Sequence, residues 1–561
     1  MLWKSRKFFC DAERGGSVLR SPLFAALLTL FFLGDLCAGT QEVKPGESIN
    51  AKLSTLQPGD TLLVRSGTYA EAISLPRSGA AGKPIVLQAY PGEKPVIAVT
   101  GTMLNADQDY WVIRGLIFDH QGGASDAVKI RGRFITLSHC ELRNGKRDGI
   151  DGASSSSDIT IENCTIYDFV WQAGNDAHGI VINAGAARWK IINNTIYNCG
   201  GDAIQLYASD KTEIANYSKD ITISGNILYT TLGADSENAL DFKGVDGCLV
   251  DSNEMYGFEN KAWVTQKGCR NITGSNNFIH DSQRGIEFRG EGGKLQMNIR
   301  LVRNVIYNIR QYYAVKFDDV ANVEILHNTL ANITAKSFRI EGEGLRGGVI
   351  RNNLIYNSGS VAISGPFNCQ VDHNGWFNAK AKAMQGEGDL TGSDPFFKNA
   401  VQANFELQAN SPARDAGVNL GQPFVGNNPD LGAFEFGVAA SAGQSGDVTI
   451  AFGPPSNFAL HQNFPNPFSP NDSRQSTSGG SQLVFDMGEA GRVNLSIYNL
   501  SGQKVKTLKD ALAPAGRHTL TWDGRDQAGA LVAAGTYLCR MTVRNRDALV
   551  WTEAKRMTVI R

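Results

Sequence analysis

Eight asparagines, Asn194, Asn226, Asn253, Asn277, Asn304, Asn328, Asn353 and Asn374, recur at intervals of 21 to 32 residues. The segments read NNTIY, GNILY, SNEMY, NNFIH, RNVIY, HNTLA, NNLIY and HNGWF, and Cys140 (SHCELR) and Cys164 (ENCTIY) hold the same place in two earlier copies. A period in this range is the mark of a stacked repeat array. Each copy alternates apolar and polar residues, as in ITISGNILY and VEILHNTL, which is the pattern of half-buried strands, and no copy carries a helical period. A unit of roughly 25 residues built from short strands and turns cannot close a core alone and must stack on its neighbours. In a parallel β-helix, equivalent residues lie about 4.8 Å apart. A buried asparagine at each tight turn can then bond the ones above and below while taking left-handed backbone angles.

Composition narrows the function classes. Lys and Arg total 54 against 55 for Asp and Glu, a net charge of −1, so the chain has no general attraction to polyanions and no nucleic-acid partner is expected. The 61 glycines suit a turn-rich array, and 18 prolines are too few for a disordered chain. None of the nine cysteines has metal-binding spacing. Cys140 and Cys164 read as thiols stacked on the ladder rather than a disulfide, and Cys269 and Cys369 as core fillers.

The N-terminus carries Lys4, Arg6, Lys7, Arg14 and Arg20, an apolar run from Leu23 to Leu33, then Ala38 and Gly39. Residues 1–39 therefore read as a secretory signal peptide. Cys37 follows Gly34-Asp35-Leu36, which lacks the small residues of a lipid-attachment site. The apolar run is shorter than the roughly 20 residues a bilayer span needs, so a mature chain without a membrane span is expected, secreted or at the cell surface and monomeric. The repeats place a β-helix at 40–437. The stretch GVAASAGQSGDV leads into a linker at 438–457, and alternating strands with Gly-containing turns place a small β-sandwich at 458–561.

Pro58-Gly59-Asp60, Gly67-Thr68-Tyr69 and Lys83-Pro84-Ile85 resemble the opening turns of secreted right-handed parallel β-helix proteins, a group with many polysaccharide lyases. Ser393-Asp394-Pro395-Phe396-Phe397, Ser411-Pro412-Ala413-Arg414-Asp415-Ala416-Gly417 and Asp430-Leu431-Gly432-Ala433-Phe434-Glu435 resemble the last coils and cap of that group. Asn463-Phe464-Pro465-Asn466-Pro467-Phe468, Trp522-Asp523-Gly524, Gly535-Thr536-Tyr537 and the Lys555-Arg556-Met557 ending are similar to the immunoglobulin-like domain of flagellar hook-capping proteins and to type IX secretion sorting domains. The resemblances imply an all-β chain, a right-handed parallel β-helix followed by an immunoglobulin-like β-sandwich that engages export and cell-surface sorting machinery. The plainer reading of the second domain is an anchor or spacer.

A β-helix offers one sheet as a shallow groove for a chain-like ligand. Aligning the strand after each ladder turn gives DGIDG (148–152), HGIVIN (178–183), DAIQLY (202–207), NALDFK (238–243), KAWVTQ (261–266), RGIEFR (284–289) and YAVKFD (313–318). The outward positions form three columns. The first turns from acidic to basic: Asp148, His178, Asp202, Asn238, Lys261, Arg284, Tyr313. The second contains Asp151, Gln205, Asp241, Glu287 and Lys316, and the third contains Asn183, Tyr207, Lys243, Gln266, Arg289 and Asp318. Asp176, Asp202 and Glu237 on adjacent turns suggest oxygens gathered around one Ca²⁺. Lys243 and Arg289 suit β-elimination on a uronate polymer: cations neutralise the sugar carboxylate, and a lysine of lowered pKa takes the C5 proton. His178, Tyr207, Asp241, Gln266 and Arg284 complete the expected contacts with an acidic polysaccharide.

Pectate lyases of the ninth polysaccharide lyase class carry calcium aspartates and a catalytic lysine on successive turns. Asn175-Asp176-Ala177-His178-Gly179-Ile180 resembles their first calcium strand, Gly201-Asp202-Ala203-Ile204 the second, and Asn238-Ala239-Leu240-Asp241-Phe242-Lys243-Gly244 the strand bearing the base. Where that family has a run of acids, Gly201 precedes a single Asp202 and Gln205 follows. Chondroitinase- and alginate-lyase-like β-helices place Lys and Arg on adjacent turns, whereas Gln266 stands between Lys243 and Arg289. Two other readings stay open. One is a non-catalytic glycan binder or adhesin using Trp171, Tyr207 and Tyr313. The other is a glycoside hydrolase, for which Asp318-Asp319 is the only acidic doublet near the groove and further acids are lacking.

Overall fold

The computed structural model describes residues 38–437 except 171–175, 292 and 382–383, and, further on, 458–460, 468–470, 481–487, 491–513, 516–545 and 548–560. Residues 1–37 of the expected signal segment, Asn175, Trp171, the linker 438–457 and Asn463–Pro467 lie outside that set.

The β-helix opens with strand Thr40–Val43 and one short helix, Ile49–Leu53, which the alternation reading does not anticipate. Ser48 caps it by accepting the Ala51 N–H, and Ile49 and Leu53 are buried against the first turns. From there 36 strands form one continuous sheet in which every pairing between turns is parallel. Strands that look half-buried by alternation stack in register: Ile150, Ile180, Ile204, Leu240, Trp263, Ile286 and Val315 are successive partners on the groove-bearing face. Their side chains point inward and are essentially solvent-free. Phe242, Trp263 and Phe288 pack edge to face at the centre of this stretch.

The asparagine ladder is continuous. Each Asn Oδ1 accepts both the backbone N–H and the side-chain amide of the Asn one turn before, from Asn194 to Asn374, at 2.8–3.1 Å. Cys164 joins it through its N–H to Asn194 Oδ1, and Cys140 through its N–H to the Cys164 sulfur, both thiols free. The Asp389 carboxylate ends the run by accepting the Asn374 N–H at 2.7 Å. One detail departs from the sequence expectation. The left-handed residue is the one before each ladder asparagine, for instance Asn193, Ser252, Asn276 and Arg303, because the turn bends there and leaves the ladder residue free to pair.

The closing segment also differs. Its hairpin, Phe397–Asn399 with Asn404–Leu407, lies along the flank of the last coils rather than only over their end. The outward columns explain this: Phe278, Val305 and Leu354 stand in the column that holds Glu141, Thr165, Thr195 and Glu254 on earlier turns, and with Phe377 they need an apolar cover, supplied by Phe397, Phe405 and Leu431. On the same face Tyr167, Tyr197, Tyr229, Tyr256, His280 and Tyr307 stack ring on ring at 4.8–5.1 Å. The described residues of the C-terminal region form two antiparallel sheets, of three and four strands, that share one core around Leu495, Trp522, Cys539 and Met541.

Candidate active site

Strands Asn238–Lys243 and Lys261–Gln266 and the turn after Arg284–Phe288 line an open cavity of about 300 Å³ on the outer face of the sheet. Alternation puts Leu240, Phe242 and Trp263 inside, so Asp241, Lys243, Lys261, Gln266 and Arg289 are left facing it, with Glu237 and Glu291 at its edge. Lys243 and Arg289, two turns apart in sequence, therefore share one opening.

The cations in this cavity are held differently. Lys243 Nζ lies 3.0 Å from Asp241 Oδ2, while Asp241 Oδ1 accepts the Gln266 amide at 2.9 Å. Burial pulls the Lys243 pKa down, but the attached Asp241 carboxylate and the nearby Asp202 and Glu237 outweigh it and raise the pKa overall. The expectation of a Lys243 amine lowered by neighbouring cations is not met. Lys261 goes the other way: burial lowers it, and Arg284 and Arg289 add to that against the pull of Glu287. Its amine donates to the neutral Asn260 Oδ1 at 3.0 Å, an oxygen that also accepts from Arg284 at 2.9 Å. The nearest carboxylate, Glu287, is 3.7 Å away and already bonded to Lys316 at 3.0 Å and to the Tyr313 hydroxyl at 2.5 Å. Lys261 stands in the first outward column of the sequence alignment. Its place between Asn238 and Arg284 was the available signal for it.

Arg289 is the open cation of the group. Its side chain is 47 % exposed, and its contact with Glu291 is at 3.7 Å. Arg284 lies over the Tyr312 ring, 4.2 Å from its centroid, and Tyr207, 41 % exposed, has the Lys243 ammonium 5.8 Å from its ring centre. Tyr313 is buried with its hydroxyl committed to Glu287, so it is not an exposed platform for a sugar ring.

The acidic candidates lie on the preceding turns. Asp202 is fully buried, its carboxylate accepting from Asn238 at 2.7 Å and Gln205 at 2.9 Å. Burial, with the Asp241 charge, pushes its pKa up to about 8. Glu237 is pushed up to about 7 by burial and then by Asp202 and Asp176. His178 is buried; its Nδ1 accepts the Asp202 N–H at 2.8 Å, which puts the ring proton on Nε2, and its own N–H donates to Asp148 at 2.9 Å. A side chain at Gly201 would place its Cβ 2.4 Å from His178 Nδ1, so the glycine that interrupts the acidic strand makes room for this ring. Asp176 is exposed.

A calcium ion takes six to eight oxygens at about 2.3–2.6 Å. Both Asp202 oxygens already receive amide protons, and among the described residues no three His, Cys, Asp or Glu side chains converge to hold a metal. The residues as arranged do not fit a ready-made calcium site, and the chemistry below uses none. The acidic doublet is equally committed: Asp319 pairs with Arg346 at 3.0 Å, and Asp318 accepts the Glu343 N–H.

A family profile described as Pel9A-like, right handed beta helix region matches residues 34–278, one for a right handed beta helix region matches 214–375, and one for the FlgD Ig-like domain matches 471–547. The chain thus contains a pectate lyase-like right-handed β-helix region. It is 24% identical over 436 residues to the uncharacterized protein YwoF of Bacillus subtilis strain 168, covering 67% of this chain and 89% of that one. It is 25% identical over 189 residues to pectate lyase L of Paenibacillus polymyxa strain SC2, covering 29% of this chain and 41% of that enzyme. The solved PL6 family alginate lyase AlyGC superposes with a TM-score of 0.50 at 12% identity, covering 69% of this chain and 60% of the other, a likeness of fold. Among the described residues no helix is long and apolar enough to cross a membrane.

Proposed function

We propose that this chain is a secreted polysaccharide lyase-like protein that cleaves an acidic, uronate-containing polysaccharide by β-elimination in the groove at Lys243 and Arg289. The observation that carries the reading is the shared cavity that Lys243, Lys261, Lys267 and an open arginine, Arg289, line together. Neutralising a uronate carboxylate acidifies the C5 proton beside it, and cations fixed in place do so without reorganising during the reaction. Arg289, exposed and loosely paired, suits a bidentate grip on that carboxylate. Tyr207 and Arg284 extend the groove along the stack for neighbouring sugars. In the same reading, residues 1–39 direct export and the C-terminal sheets serve sorting or anchoring, in keeping with the FlgD Ig-like match.

Incubation with a panel of acidic polysaccharides, with and without Ca²⁺, tests this by ultraviolet absorbance of the unsaturated uronate. Reducing ends without that absorbance would replace the lyase reading by a hydrolase. Binding without either signal would replace it by a non-catalytic glycan-binding surface.

A further inference from the structure

We propose that, within the β-elimination inferred above and resting on it, Lys261 is the base that takes the C5 proton, while Lys243 stays an ammonium and protonates the departing oxygen. The two side chains enter one cavity from opposite ends of adjacent strands, since Lys243 is in register with Gln266 and Lys261 with Asn238. Both lean toward the same outward column, Lys243 onto Asp241 and Lys261 toward Glu287, with Val264 between those two positions. Their partners separate their roles. Lys243 is seated on a carboxylate. Lys261 meets a neutral amide oxygen, shares it with Arg284, and faces a glutamate whose oxygens are taken by Lys316 and Tyr313.

The surroundings of Lys261 are mixed. The following turn presents Glu287, Arg284 and Arg289, and the preceding turn presents Asp241, Lys243 and Glu237. Lys267, bonded to Asp210 at 2.8 Å, and Glu291 also line the cavity. The two perturbations have opposite signs, Lys261 lowered and Lys243 raised, and two groups driven apart in this way are the expected form of a base and an acid at one site. In the step, a new N–H bond forms at Lys261 as the C5–H bond breaks, and the freed electron pair is held on the neutralised carboxylate as an enolate. That pair becomes the C4–C5 double bond as the C4–O bond breaks, the C4–O pair leaves on oxygen, which takes a proton from Lys243, and exchange with water restores both amines.

The full chain is tested as Lys261→Met, Lys261→Arg and Lys243→Met by rate of unsaturated product against pH. Loss of a general base costs about 10²- to 10⁴-fold. We expect that loss in both Lys261 variants. In Lys243→Met the acidic limb of kcat/KM persists and the alkaline limb disappears. Wild-type activity retained by Lys261→Met overturns this assignment alone, whereas no unsaturated product from the wild type overturns it together with the elimination. An independent readout is reductive methylation of the intact wild type with ¹³C-formaldehyde, followed by NMR titration. The Lys261 signal is expected to titrate below that of Lys243, and the reverse order overturns the assignment.

Discussion

Replacing Asn277 by alanine isolates what one rung of the ladder contributes. Asn277 is fully buried and its side chain makes four hydrogen bonds: it accepts from the Asn253 N–H and the Asn253 side-chain amide, each at 3.0 Å, and donates to the Val250 carbonyl at 2.9 Å and Asn304 Oδ1 at 2.8 Å. Two of the groups left behind keep another partner, since the Asn253 amide still bonds Ile223 O and Asn304 Oδ1 still accepts the residue-277 N–H. The Asn253 N–H loses the acceptor it has. A buried donor left unpaired costs about 1–3 kcal/mol and each other lost bond about 0.5–1.5, which sums to roughly 3–7 kcal/mol. Asn298 is the control: it stacks between Asn271 and Asn322 on an exposed turn with a left-handed φ of 58°. Asn298→Gly removes those solvated bonds and keeps the turn free of strain, so it is expected to cost under about 1 kcal/mol. Denaturant unfolding, with hydrogen exchange in strands Val245–Asp251 and Arg270–Ser275, reads both. A loss below about 1 kcal/mol in Asn277→Ala, or an equal loss in Asn298→Gly, would show that the ladder bonds do not hold the stack.

Three further outcomes follow from the site. Asp202 is raised to about 8 from an ordinary 3.8, so in the unfolded chain it ionises first. Its contribution to stability is whole below about pH 4 and drains away as pH rises through about 8. The calorimetric midpoint of Asp202→Asn relative to the wild type should therefore be higher at pH 8 than at pH 4, and an equal difference at both would refute the raised pKa. Gly201→Ala drives a Cβ onto the His178 ring and should cost about 1–3 kcal/mol of stability; an unchanged midpoint would mean that the ring moves freely. Asp241→Asn removes the carboxylate that keeps Lys243 charged, and the NMR titration of Lys243 should move to lower pH, whereas no movement would show that the pair is not formed in solution.

Much of the molecule was legible in the chain because stacking converts a sequence offset into a spatial neighbour. The columns read from DAIQLY, NALDFK, KAWVTQ and RGIEFR are the registers observed, and Lys243 and Arg289 do line one opening. The helix Ile49–Leu53 was not legible, being a single turn and a half outside the repeats. The flank position of the closing hairpin was missed because alternation describes each strand and not what covers its outer face.

The sequence by itself determined the parallel β-helix, its ladder and the identity of each outward column, since an in-register parallel stack allows one arrangement for a repeated alternating pattern. Only the tertiary structure decided the charge states. Two lysines on neighbouring turns, one in the first column and one in the third, look alike in the chain. Whether an amine settles directly on a carboxylate, as Lys243 does on Asp241, or beside two arginines and a carboxylate already engaged by another lysine, as Lys261 does, depends on side-chain contacts of 3 to 4 Å. Burial of Asp202 behind Asn238 and Gln205 is of the same kind, because the cost of ionisation depends on the water and charge around a group and not on its place in the repeat.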